Sequence, residues 1–164
     1  ERLNKILQEY LNPPDSSKRQ EEIGEKIFRE GDKVMQIKNC EDINNGDIGY
    51  IKSITGTQSD SVVRIDFGDG RIVDYENSDL DMLDLGYACT VHKSQGSEYK
   101  SVIINLQCAH SVMLVRPLIY TAITRAKEKV LIVGERRALC TAIRRIDTEQ
   151  RGTKLAQRIR EFSK

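Results

Sequence analysis

The chain opens on a helical pattern. In "LNKILQEYLN" the apolar residues Leu3, Ile6, Leu7, Tyr10 and Leu11 recur at three- and four-residue intervals, and Pro13-Pro14 then stops the helix. Residues 15–26, "DSSKRQEEIGEK", are largely polar and read as a linker or loop. From Ile27 the period shortens to two. "KVMQIK", "DIGYIKSIT", "SVVRIDF" and "RIVDYE" read as strands; Asn45-Gly46 signals a turn, and Phe67-Gly68-Asp69-Gly70-Arg71 a hairpin. Short strands joined by tight turns predict a small antiparallel barrel.

Beyond Leu85 the pattern changes again. "YACTV", "SVIINL" and "KVLIVG" are continuous apolar runs, as expected of strands covered on both faces. "MLVRPLIYTAITRA" carries apolar residues at 115, 119, 122, 123 and 126, which predicts a helix buried along one side, with Thr121, Thr124 and Arg125 on the other. "ERRALCTAIRRI" reads as a covering helix and "TKLAQRIREF" as a basic terminal one. The connector between "YACTV" and "SVIINL" has nine residues, fewer than the dozen or so a parallel crossover needs, so whether these strands are parallel neighbours stays open.

Composition narrows the class. The 164 residues are 38% hydrophobic and 31% charged, values of a globular protein, and no apolar run approaches the roughly 18 residues that span a bilayer. With no signal-peptide core in "ERLNKILQEY", no membrane is expected and the default location is cytoplasmic. Cys40, Cys89, Cys108 and Cys140 form no CxxC pair and the chain has two His, which argues against a zinc site or a disulfide framework. Charge is unevenly spread. Residues 41–85 hold 3 basic and 11 acidic side chains, whereas residues 86–164 hold 15 basic and 6 acidic. The second part suits a polyanion and the first repels one.

Two stretches carry candidate chemistry. In "HKSQGSE", following "YACTV", His92, Lys93, Ser94 and Gln95 can donate to phosphates or sugars, Gly96 allows close backbone approach, and Glu98 can accept from a ribose hydroxyl or orient a water. A solvated turn is the plain alternative. In "YTAITRAKEKV", Arg125 offers an always-charged guanidinium suited to a transferring phosphoryl group; a structural Arg paired with Glu98 or Glu128 is the rival. No GxxxxGK[ST] phosphate loop occurs. A phosphate-recognising surface without a phosphate cradle is half of a site.

"YACTVHKSQGSEYKSVIINL" and "LIYTAITRAKEKVLIVGE" resemble motifs V and VI of superfamily 1 DNA helicases, in the RecD-like branch related to the exodeoxyribonuclease V alpha chain. "FREGDKVMQIKN" and "NNGDIGYI" resemble that family's lead into a Src-homology-3-like barrel. The resemblance implies an α/β fold: a second RecA-like motor domain, its P-loop-NTPase-like sheet covered by helices, with the small barrel inserted. Residues 1–40 would begin that domain, 41–85 would form the barrel, and 86–164 would complete the domain. It further implies an ATP-driven 5′-to-3′ translocase on single-stranded DNA. Arg125 and Glu98 would be catalytic, and Gln95, Gly96, Glu98 and Arg125 would lie at the nucleotide. Thr90, His92, Lys93 and Ser94 would face the DNA, and Thr121 and Thr124 would support the arginine.

ATP with Mg2+ would be held mainly by a first RecA-like domain, N-terminal in the same chain and missing here, so that these residues are expected to be a C-terminal piece without ATPase activity of its own. The competing readings are a non-catalytic nucleic-acid-binding module and a barrel that docks a protein partner.

Overall fold

In the computed structural model, residues 2–40, 43–57 and 60–146 are described; the helix predicted in "TKLAQRIREF" lies outside them. The chain divides into two compact units, Glu1–Glu98 and Tyr99–Lys164.

The first unit begins with helix α1, Arg2–Leu11, followed by the hairpin β1, Gln20–Ile23, and β2, Lys26–Arg29. The polar segment predicted as a loop thus contains a strand, since Glu21 and Glu22 break the apolar alternation that would announce one. Strands β3 (Lys33–Gln36), β4 (Ile48–Thr55), β5 (Val62–Asp66) and β6 (Ile72–Glu76) follow, then a 3-10 turn, Asn77–Met82, and β7 (Leu83–Leu85). They form one antiparallel sheet in the order β6-β5-β4-β3-β7. Because β3 is paired on both sides, the sheet starts at Lys33, ahead of the expected boundary at residue 41.

Alternation selects the core. In β5, Val63 and Ile65 are buried while Arg64, between them, faces outward and forms a two-pronged ion pair with Asp74, its cross-strand partner on β6. Phe28, Val34, Ile51 and Leu83 complete the interior. Tyr75 enters it with its hydroxyl donating to Gln36 Oε1 at 2.9 Å, and burial pushes its phenol from 10.0 up to about 12.

Helix α1 inverts the usual rule. Its apolar residues are outside, Leu3, Ile6 and Tyr10 being 48%, 53% and 87% exposed, while Asn4 and Gln8, with Asn12 just beyond the helix end, are buried. The cause is the demand for donors beneath the helix. Asn4 Nδ2 donates to the carbonyls of Leu85 (2.8 Å) and Ala88 (2.9 Å), Gln8 Nε2 to that of Ile27 (2.8 Å), and Asn12 Nδ2 to that of Glu30 (3.2 Å). The spacing of four residues stacks these amides on one face, where they meet backbone acceptors that would be costly to bury unpaired.

Two of those amides, of Gln8 and Asn12, also help enclose Asp32, which has no exposed surface. Its carboxylate accepts from Gln8 Nε2 at 2.5 Å, Asn12 Nδ2 at 2.6 Å, the Arg29 backbone N–H at 2.7 Å and the Tyr87 hydroxyl at 2.9 Å.

The second unit is α/β. Strand β8, Tyr99–Leu106, runs parallel to β9, Ala126–Gly134; helix α2, Arg116–Ile123, lies between them in sequence and helix α3, Arg136–Arg144, follows. Ile104, Leu106, Ile119, Ala122, Ala138 and Ala142 are buried. Cover on both faces was the expectation for these strands, yet Ile103 is 70% exposed and Leu131 and Val133 are each 49% exposed. Among the described residues this sheet has two strands, and the helices cannot cover both of its faces.

"YACTV" is also not a strand. Both backbone groups of Ala88 are taken by the Asn4 side chain, whose Oδ1 accepts the Ala88 N–H at 2.6 Å, leaving no ladder to join. The nine-residue connector therefore spans no crossover; the parallel neighbour of β8 is β9, reached through α2.

Replacing Asp32 by Ala strands three side-chain donors and a buried amide, and is expected to cost more than about 3 kcal/mol, read from urea unfolding. Tyr75 and Tyr87 both have phenols raised above the ordinary 10.0, so the unfolded chain releases those protons first. Their stabilisation is complete below pH 10.0 and is lost as pH rises toward about 12, so melting temperature should fall across that window and fall less in Tyr87→Phe.

Candidate functional site

The loop after β7 begins with a clamp. Leu85 and Ala88 are held by Asn4, and Tyr87 between them donates its hydroxyl to Asp32. Burial, then the adjacent carboxylate, push the Tyr87 phenol well above its ordinary value, so it stays a donor.

From this clamp residues 91–96 coil through successive turns. The Ser94 N–H donates to the Thr90 carbonyl at 3.1 Å, the Gln95 N–H to His92 at 3.2 Å and the Ser97 N–H to Ser94 at 3.2 Å. Thr90 Oγ1 accepts the Lys93 N–H at 3.3 Å, a hydroxyl capping the turn it starts. Gly96 has φ +86° and open space where a side chain would begin, which suits both the reversal and a close approach from outside.

This coil sorts the candidate residues. Thr90, His92, Lys93, Gln95, Gly96 and Glu98 are exposed. Ser94 is turned inward, 6% exposed, and its hydroxyl donates to the Val91 carbonyl at 2.8 Å. Of the residues expected to face DNA, Ser94 is thus the one whose hydroxyl bonds within the turn. Lys93 Nζ lies 3.4 Å from Asp84 Oδ2, and Lys26 Nζ lies 3.6 Å from Asp84 Oδ1. Being partly solvated, such pairs bias the lysine's direction while contributing little stability.

A turn of the sheet backs the loop. Gly46, with φ +98°, has its missing Cβ position 3.1 Å from the Lys93 carbonyl oxygen and 3.8 Å from Ser97 Oγ. Its N–H is fixed to the Gln36 carbonyl at 2.9 Å, so the loop rests on a ladder-bound backbone.

Arg125 belongs to the second unit. It occupies the two-residue turn between α2 and β9, beyond the helix on which the periodicity predicts it, because α2 ends at Ile123 and Thr124 caps it. Its carbonyl accepts the Tyr99 N–H at 2.8 Å, tying the turn to the first residue of β8. The residue is half-buried. Thr121 and Thr124 bond back to their own helix, their hydroxyls donating to the Pro117 carbonyl at 2.9 Å and the Thr121 carbonyl at 3.0 Å. Neither hydroxyl bond supports the arginine as expected.

Among the described residues no group of three or more His, Cys, Asp or Glu could hold a metal, and no helix is long and apolar enough to cross a membrane. The donor set is one of amides, a hydroxyl, an imidazole and cations, suited to phosphates and sugars. Asn4, Asp32, Gly46 and Tyr87 escape a reading of motifs, although Asn4, Gln8 and Asn12 do recur every four residues.

Comparison with known proteins gives two matches in succession along the chain. Residues 3–67 match a model described as the SH3 domain of ATP-dependent RecD-like DNA helicases, and residues 85–133 match the UvrD-like helicase C-terminal domain. The chain is 40% identical over 160 residues to the ATP-dependent RecD2 DNA helicase of Deinococcus radiodurans, covering 96% of this chain and 21% of that protein. It is 35% identical over 107 residues to the RecBCD enzyme subunit RecD of Mycobacterium tuberculosis, covering 63% of this chain and 17% of that subunit. A solved structure of two coordinating Pif1 helicases unwinding forked double-stranded DNA is similar in fold, with a TM-score of 0.52 and 22% identity over 80% of this chain and 36% of that one. The chain thus spans about a fifth of the length of these two relatives.

Ser94→Ala removes the bond to Val91 without removing an exposed donor. It should destabilise the first unit by about 1 kcal/mol in denaturant unfolding.

Proposed function

The chain belongs to the RecD-like DNA helicases of superfamily 1, and from that premise we propose that it works as part of an ATP-driven 5′-to-3′ motor on single-stranded DNA. The five-stranded sheet is read as the Src-homology-3-like barrel and the β8–β9 unit as part of the second RecA-like domain. The observation that carries the reading is the coil at 90–96, which presents His92, Lys93 and Gln95 outward on one braced turn.

Thr90, His92 and Lys93 would contact the DNA backbone, Lys93 by charge and the others by hydrogen bonds. Such contacts position a strand without reading its sequence, as a translocase requires. Gln95, Gly96 and Glu98 would lie toward the nucleotide, so that one short loop touches both ligands and links strand position to nucleotide state. Arg125 would meet the γ-phosphate, where a delocalised cation stabilises charge spread over the transferring group.

ATP fits this donor set in part: the chain can supply the arginine and the loop's hydrogen-bonding groups. Mg2+ does not fit it, because neither a phosphate loop nor a metal-holding cluster occurs among the described residues. The metal and most of the nucleotide pocket would come from a preceding RecA-like domain.

In the full-length protein, Arg125→Ala should lower DNA-stimulated ATP turnover by about 10³ or more while leaving nucleotide-free single-strand binding in place. Near-normal turnover removes Arg125 from this role. The 164-residue chain purified alone should turn over no ATP; turnover that disappears in Arg125→Ala would overturn the division of the site.

A further inference from the structure

We propose that Asn4, Tyr87 and Gly46 are positioning residues for the strand-contacting loop, setting its affinity for single-stranded DNA without touching the strand. This rests on the reading of residues 90–93 as the DNA contact. Three fixed points bracket that stretch. At its entry, Asn4 makes three hydrogen bonds to Leu85 and Ala88, all between 2.6 and 2.9 Å. Between those residues, Tyr87 is anchored on the enclosed Asp32 at 2.9 Å. Along its back, Gly46 lets the sheet turn approach so closely that a methyl group would stand 3.1 Å from the Lys93 carbonyl.

The geometry has more constraint than folding the loop requires. The internal bonds of the coil, Thr90 to Ser94, His92 to Gln95 and Ser94 to Ser97, already define its turns. The external anchors do something else: they set where the coil sits and in which direction His92 and Lys93 project. A loop held in its binding conformation loses less freedom when a ligand arrives, so releasing an anchor weakens binding without deleting a contact. Gly46 connects this to the sheet, since its turn hangs on β3 through the Gln36 carbonyl. The antiparallel insert thereby acts as a template for the loop.

The test uses the full-length protein and an oligothymidylate strand, with Tyr87→Phe, Asn4→Ser and Gly46→Ala compared with Lys93→Ala. Binding is followed by fluorescence anisotropy against salt, alongside ATP turnover at saturating strand and the melting temperature. The anchor variants should raise the dissociation constant by about 3- to 10-fold, with turnover at saturation within about 2-fold. Their salt dependence should match the parent's, because no phosphate contact is lost, whereas Lys93→Ala should flatten the slope by about 1.

If Lys93→Ala changes neither affinity nor slope, the loop is not the contact and the positioning role falls with it. If Lys93→Ala acts while Tyr87→Phe and Gly46→Ala bind as the parent does, the positioning role alone falls. Affinity, saturated turnover and melting temperature declining together would also overturn it, showing that the anchors merely keep the unit folded. Gly46→Ala keeps the Asp32 cluster intact, so the outcome does not depend on how well Tyr87→Phe folds.

Discussion

A carboxylate sealed from water has to be given back, by protein groups, the hydrogen bonds it surrendered, and Asp32 imposes that demand on its surroundings. Four donors answer it: two side-chain amides, a backbone N–H and a phenol. They come from α1, from the residue just past its end, from the end of β2 and from the segment leading into the candidate loop. One side chain thus fixes which way the helix faces, where the hairpin closes and where the chain turns after β7. Without the carboxylate, burying the amides of Gln8 and Asn12 would have much less to recommend it than burying Leu3 and Ile6.

That constraint also marks where sequence reading succeeds and fails. Period-two alternation located β4 to β6 because each of these strands has one face on the core and one in water, and burial in β5 follows the letters residue by residue, whereas β3, paired on both sides, is buried from Val34 through Gln36. The orientation of α1 was not legible, because the acceptors its amides meet lie as far as 84 positions away in sequence. The same holds for "YACTV": an apolar run predicts a strand only if a neighbour offers a ladder, and here a side chain occupies the backbone groups instead. For the loop, residue types indicated polar chemistry, and the coil shows Ser94 turned in and Thr90, His92, Lys93 and Gln95 turned out. A local hydrogen bond made that division, which composition cannot register. Arg125 was legible as a residue but not as a place, since helix periodicity runs on through the turn that ends α2.

The two units meet the solvent differently. In the first, alternation leaves charged and polar residues outside the sheet, with Arg64 and Asp74 paired across strands. In the second, Ile103, Leu131 and Val133 of β8 and β9 are about half-exposed or more, although Ile104 and Leu106 are buried. Parallel strands ordinarily carry cover on both faces. The apolar runs beyond Leu85 are therefore richer than the local need of the described residues.

The Asp32 cluster has a consequence for how such a chain can change over time. An Asn at position 32 would present a donor where four donors already converge, and a Leu at position 8 or 12 would abandon both a carbonyl and the carboxylate. No member can be exchanged to advantage while the others stay, so substitutions here must arrive in concert. Positions 8, 12, 32 and 87 therefore form a single unit scattered along the chain, and a graft of this cluster into another protein would have to carry all of them across together.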